Sequence, residues 1–345
     1  MDVHAIDPLS DRRWDALVAC HPAATVFHLR GWLEALALTY GYEPFVLTTG
    51  PSDKPMTDGV PLCRVSSWIT GNRAVSLPFA DHCEPLLNYD SPFSPFANFL
   101  RTECDRQAWK YVELRPLSWH WDPDPHMQRG HTYYFHSLDL MRPLEQLFTR
   151  LHKNSLQRRI RRAEREHLSY DTGRSEQLVN EFYKLLLITR RRHDMIPQPR
   201  AWFKNLVECM GDQIQIRLAR KDGIPIAAIL SLRHRSSVVY KYGCSNEKFH
   251  RFGAMPFLFW RLIEESKSSG IEQVDFGRSD MDNPGLIAFK DRFGTSKKLL
   301  TYFRYQRTET RQSVSWSFQA TRKLFALLPD AVLPTVGKVL YRHMG

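Results

Sequence analysis

Short apolar runs alternate with helical patterns over roughly the first 145 residues, each bounded by Pro, Gly or Asp. Apolar residues at helical spacing predict helices over Asp11 to Cys20, Arg30 to Tyr40 and Pro95 to Trp109. Period-two or continuous apolar runs predict strands over Pro44 to Thr48, Val60 to Val65, Ala74 to Pro78, Tyr111 to Arg115 and Thr132 to Leu138. Interleaving of this kind indicates an α/β unit. Prolines 116, 123, 125 and 143 make the stretch after Arg115 rich in loops and put the domain junction near Arg142.

The second half opens on a predicted basic helix, Leu144 to His167. Leu147, Leu151, Leu156 and Ile160 lie along its apolar stripe, and Lys153, Arg158, Arg159, Arg161 and Arg162 along the opposite face. A helix from Ser175 to Arg192 ends in three arginines, which suits the negative end of its dipole. Strands follow over Gln213 to Arg220, Ile224 to Arg233 and Ser237 to Gly243, the first two joined by an Asp222-Gly223 turn. Next come a helix from Pro256 to Ser268, a strand from Gln273 to Phe276, a short helix around Lys290 and a strand from Leu299 to Tyr305. That order matches the core of GNAT acyltransferases. The expected fold class is α/β with mixed sheets, in domains 1–143 and 144–310 and a basic amphipathic tail, 311–345.

Composition narrows the class. The chain has 345 residues, 43% hydrophobic and 12% aromatic, too apolar for general disorder. No apolar run reaches the ~18 residues that would span a bilayer. The opening MDVHAIDPLSDRRW has no basic segment followed by an apolar one, so a cytoplasmic location is expected, with the inner face of the membrane as a second station. Cysteines 20, 63, 83, 104, 209 and 244 form no close pair and read as reduced thiols, with no metal site expected. A net charge of +11 and a pI near 9.4 favour polyanionic partners: tRNA, a nucleotide-linked substrate or an anionic membrane face.

The segment VDFGRSDMDNPGLIAFKDRFG, Val274 to Gly294, carries the strongest chemical signal. A strand running into Gly277 and then a polar loop leaves backbone groups for an extended ligand. Lys290 lies between Phe289 and Phe293 on a short helix, so its ammonium is expected in a crevice, where a fixed cation can stabilise the oxyanion of acyl transfer. Arg278 suits either a phosphate or an ion pair with Asp275 or Asp280. Strand alternation puts Tyr240 and Tyr242 on one face and Lys241 on the other. In HRFGAMPF, Arg251, Gly253 and Ala254 are a sparse remnant of the Gly-rich loop that grips coenzyme A. Asp81, His82 and Cys83 share a loop, but neighbouring side chains point apart, which disfavours a Cys-His nucleophile. His28 and Trp32, one helical turn apart, are expected to pack.

The stretch YKYGCSNEKFHRFGAMPFLFWRLIEESKSSGIEQVDFGRS followed by NPGLIAFKDRFG resembles the C-terminal domain of the Fem family, the aminoacyl-tRNA-dependent transferases that build peptidoglycan bridges. FHLRGWLEAL and LHKNSLQRRIRRAEREHLSYD resemble the family's N-terminal helix and the opening of its second domain, so the likeness runs from about residue 24 to 306. TRRRHDMIPQP, DFGRS and LPDAVLPTVGKVL are similar in particular to the FemAB-like group found with exosortase and exopolysaccharide loci. The resemblance implies two tandem GNAT-like domains with a cleft between them and a C-terminal end that returns to the first. It also implies Phe289 against the aminoacyl-tRNA end and Lys290 on the reacting acyl oxygen.

Donor contacts are expected from Phe289, Arg278, Gly277, Tyr242 and Arg251. Acceptor contacts are expected from Asp81 and His82, by analogy with the family, and from Lys153, Arg158 and Tyr240. The sequence shows no long coiled-coil arm of the kind some members use for tRNA, so the donor stands as aminoacyl-tRNA or acyl-CoA, with no bound cofactor. The leading function is transfer of an aminoacyl or acyl group to an amine of an anionic cell-envelope or exopolysaccharide precursor. The alternatives are a coenzyme-A-dependent N-acetyltransferase and a non-catalytic polyanion-binding scaffold. The tail from Ser313 to Gly345 either docks on the first domain, the favoured reading, or makes a peripheral contact with anionic lipid.

Overall fold

The computed structural model describes residues 2–88, 91–118, 125–307 and 333–345. Two compact units emerge: one from 2–132, 300–307 and 337–345, the other from 133–299 with 333–336. The first division falls beside Thr132, within the stretch after Arg115 but earlier than Arg142.

In the first unit, β1 (His4–Ile6), β2 (Glu43–Thr48), β3 (Val60–Val65) and β4 (Arg73–Val75) pair in order, each antiparallel to the last. β5 (Tyr111–Leu114) then lies parallel to β4, Ala74 opposite Val112 and Val75 opposite Glu113. The helices are α1 (Arg12–Cys20), α2 (Arg30–Tyr40) and α3 (Ser94–Arg106). Asp11 starts α1 by accepting from the Arg13 amide at 3.0 Å. Gly41 ends α2 in the left-handed conformation, φ +68°, its amide on Ala37 O. Phe45, Leu62, Phe96, Leu100, Trp109 and Leu114 anchor the core between sheet and α3. β4 stops before Pro78 because Leu77 and Phe79 take positive φ and turn the chain out of the sheet.

The second unit holds β6 (Gln128–Asp139, from Tyr133 onward), α4 (Leu144–Arg150), α5 (Arg158–Arg165), β7 (Ser169–Gly173), α6 (Glu176–Arg192) and α7 (Arg200–Met210). It continues with β8 (Ile214–Lys221), β9 (Ile224–His234), β10 (Ser237–Ser245), α8 (Ala254–Ser268), β11 (Gln273–Asp280) and α9 (Pro284–Asp291). Its strand order is β6-β11-β10-β9-β8-β7, antiparallel except for the parallel pair β10–β11. Ile160 and Ala163 of α5 join Leu258 and Leu262 of α8 in one cluster with Ile229 and Val274. From the other side, α6 and α7 bring Phe182 and Phe203 against β10.

The basic segment is not one helix. Leu151 turns extended (ψ 142°), the His152 amide bonds Arg292 O at 2.9 Å, and His152 Nδ1 accepts from the Ser155 amide at 3.1 Å. A side chain that caps the following turn competes with continued helix, and a π-turn over Lys153–Gln157 separates α4 from α5. The apolar stripe survives the break, with Leu147, Leu151, Leu156 and Ile160 all buried.

β12 (Ser296–Gln306) returns the chain to the first unit, where Phe303 to Gln306 pair antiparallel with β5. Last comes α10 (Leu333–Tyr341). Tyr42 Oη donates to Tyr341 O at 2.8 Å and accepts from the Gly345 amide at 3.0 Å. Arg73 and Thr70 donate to His343 O, each at 2.9 Å. These bonds hold residues 341–345 in the first unit; 308–332 of the tail lie outside the described residues. No described helix is long and apolar enough to cross a membrane.

Candidate active site at the divergence of two parallel strands

β10 and β11 pair only over Ser237–Val239 and Gln273–Asp275. Just beyond, both strands are irregular: β10 shifts register between Tyr240 and Tyr242, β11 between Asp275 and Gly277. A bulge adds a residue, bends its strand and re-aims the side chains after it. Two such breaks at the same level part the parallel strands.

On β11, Gly277 sits at φ +71°, a conformation that favours glycine, and its amide donates to Asp275 Oδ1 at 2.5 Å. β11 therefore does not end at Phe276 but continues through the bulge to Asp280. On β10, the Tyr240 hydroxyl occupies the space over Gly243, only 2.2 Å from where a Cβ there would lie. Tyr240 packs on Phe259 of α8 and on Phe276, ring centroids 4.6 and 6.3 Å away.

Beside the β11 bulge, α9 starts on Asn283, whose side chain accepts from the Leu286 amide, with Pro284 in the first turn. Its last turn delivers Lys290, 3% exposed. The ammonium donates to Gly277 O at 3.1 Å and Arg278 O at 2.7 Å. Phe289 and Phe293 flank it and join Phe259 and Phe276 in an aromatic cluster that fixes the helix.

His136 of β6 lies opposite Gly277, fully buried. Its Nδ1 faces Asp291 Oδ1 at 3.4 Å and Thr295 Oγ1 at 3.5 Å, and Nε2 is buried with no hydrogen-bond partner among the described residues. Burial, and next the charge of Lys290, push its pKa down to about 4, so the imidazole is neutral at pH 7. A histidine within a strand carries no spacing signal, which is why sequence reasoning passes over it.

Of the predicted residues, Lys290, Phe289, Gly277, Arg278 and Tyr240 come together here. Arg278 stacks its guanidinium over Tyr133 at 4.3 Å, and the Asp275 carboxylate accepts from the Gly277 amide. Tyr242 does not share a face with Tyr240, because the intervening bulge reverses the alternation. Its hydroxyl accepts from Trp202 Nε1 at 2.9 Å and its ring packs on Phe203 of α7. Arg251 stacks over Phe252 at 4.8 Å ahead of α8. Lys153 and Arg158 are exposed, on the π-turn and α5. Asp81 and His82 belong to the first unit: Asp81 O accepts from Tyr302 at 2.6 Å, and His82 is buried edge-on to Phe27. His28 and Trp32 pack in that unit's interior. Among the described residues, no group of three or more His, Cys, Asp or Glu could hold a metal ion.

The profile of the GNAT acetyltransferase domain matches residues 150–290, the stretch that contains β10, β11 and Lys290. The chain thus carries a GNAT acyltransferase domain. By sequence, none of the curated proteins matches it. Among solved structures it is similar to FemX, 14% identical over 90% of this chain and 98% of that one, with a TM-score of 0.68. It is also similar to a tandem GNAT protein from the clavulanic acid biosynthesis pathway, 11% identical over 90% and 100% of the two chains, TM-score 0.56. L-PGS from Bacillus licheniformis is 12% identical over 92% and 97%, TM-score 0.55. At these identities the likeness is one of fold, the tandem GNAT-like fold.

Proposed function

We propose that this enzyme transfers an aminoacyl or acyl group from an activated ester or thioester to an amine of a cell-envelope or exopolysaccharide precursor, with the chemistry at the divergence of β10 and β11. The observation that carries the reading is the buried Lys290 ammonium, pinned on two carbonyls of the β11 bulge. As the amine nitrogen attacks, the acyl carbonyl oxygen becomes an oxyanion. The C–N bond forms, the donor's C–O or C–S bond breaks on collapse, and the amine proton leaves with the departing group or solvent. A cation fixed in a low-dielectric site stabilises that oxyanion without reorganising. Phe289 and Tyr240 supply apolar walls.

Two observations favour aminoacyl-tRNA over coenzyme A as donor. The glycine-mediated approach that would cradle a pyrophosphate at the start of α8 is taken by protein: a Cβ on Gly253 would lie 2.4 Å from Arg159 O. In addition, Arg158, Arg161, Arg165 and His167 surround a cavity of about 850 Å³ on the exposed face of α5, with Glu164 the acidic member of its lining. Such a face suits a phosphodiester backbone, and affinity for it should fall steeply with salt.

The test is to incubate the protein with charged tRNAs and acyl-CoAs plus envelope precursors, and to read the added acyl mass by mass spectrometry. Lys290→Met should lower turnover ~10²-fold or more with the fold intact by circular dichroism. Wild-type turnover in that variant removes Lys290 from the chemistry, and product only from acyl-CoA overturns the donor assignment.

A further inference from the structure

Away from the acyl-transfer site, the first unit gathers exposed apolar side chains from three separate parts of the chain. Trp68, in the loop after β3, is 86% exposed; Leu38, near the end of α2, is 63% exposed; Val339 of α10 is 53% exposed. They border one open cavity of about 710 Å³ with Lys338 of α10 and Arg342 just after it, and among the described residues no lining residue is acidic. Isolated exposed apolar residues are ordinary, but a convergent set rimmed by one sign of charge marks an interaction surface.

The chemistry of the set selects its partner. An exposed indole beside aliphatic side chains suits the interfacial zone of a bilayer, where an amphipathic ring is at home. Cations at the same level suit anionic headgroups. The patch is also held rigidly. The main chain of 341–345 is tied down by Tyr42, Thr70 and Arg73, and the Trp68 ring meets His343 edge-on at 5.6 Å. Docking of the C-terminal residues and an outward basic-apolar face on α10 are therefore two aspects of one arrangement.

We infer that Trp68, Leu38 and Val339, with Lys338 and Arg342, form a peripheral docking surface for anionic lipid. The inference stands independently of the acyl-transfer reading, since its readout is lipid partition. The experiment is sedimentation of the full-length protein with vesicles of phosphatidylcholine alone or with about one-third phosphatidylglycerol. Binding is expected to the anionic vesicles and to be weak on the neutral ones. The double variant Lys338→Gln, Arg342→Gln should reduce partition about tenfold or more, as loss of two such contacts requires. Trp68→Ser should reduce it several-fold without altering the thermal midpoint.

Three outcomes overturn the inference: no difference between the two vesicle compositions, wild-type partition in both variants, or the patch occupied by a second copy. The last would appear as dimers in light scattering that Trp68→Ser dissociates, with no vesicle binding.

Discussion

Among the described residues each unit contains one parallel strand pair, and the two pairs end differently. In the first unit the register of β4 and β5 is carried on past Val75. The Ser76 amide donates to Glu113 O at 2.8 Å, Ser76 Oγ accepts from the Arg115 amide at 2.9 Å, and the Cys83 amide closes on Arg115 O at 2.7 Å. The Arg115 guanidinium then ties down Leu77 O and Ala80 O and pairs with Glu113, which Arg304 also contacts. Burial pushes the Glu113 carboxyl up, but these two guanidinium groups outweigh it and hold the pKa below the usual range. In the second unit, pairing stops at Val239 and Asp275 and both strands bulge; a buried lysine binds two carbonyls of the β11 bulge, and a neutral histidine lies opposite Gly277 on β6. On the proposed function, the open pair serves a ligand while the closed pair serves stability, although both come from the same strand arrangement.

The largest expected effect probes the closed pair. Arg115→Met leaves Glu113 short of a buried counter-charge and should cost about 3 kcal/mol or more in denaturant unfolding, while turnover per folded molecule stays near wild type. Loss of turnover without loss of stability would reverse the assignment of the two pairs. At the open pair, the ~10²-fold loss predicted for Lys290→Met corresponds to about 2.7 kcal/mol of transition-state stabilisation, with little effect on the denaturation midpoint.

The pH dependence comes next. His136 has a folded pKa of about 4 against 6.5 in the open chain, so the unfolded chain takes up its proton first as pH falls. Its contribution is fully present above pH 6.5 and is lost toward pH 4, about 2 kcal/mol by pH 5. His136→Gln should flatten that part of the stability profile. The smallest effect is that of Tyr242→Phe, which removes the hydroxyl to which Trp202 Nε1 donates and should cost about 1–2 kcal/mol of stability. A change in KM for the donor instead would return Tyr242 to the site.

The sequence was readable where one face of an element is buried. Period and turn chemistry located the β8–β9 hairpin, the helix ending at Arg192 and the short helix carrying Lys290. What escaped were breaks in periodicity. The bulge that turns Tyr242 away from Tyr240 adds a residue without changing composition, and the stop at Leu151 depends on a bond from His152 to Arg292, far along the chain. Lys290 was visible through its flanking phenylalanines. His136 was not, because its significance comes from lying across a ladder from Gly277.

The return of β12 to β5 has a consequence for biogenesis. The strand that pairs with Tyr111–Leu114 is encoded after the whole of residues 133–299, so a ribosome must translate that main part of the second unit before the first can pair β5 with β12. The later-begun segment 133–299 is therefore available to fold before the β5 edge is covered. Its predecessor waits with an unsatisfied β5 edge, exposed to mispairing and to chaperones.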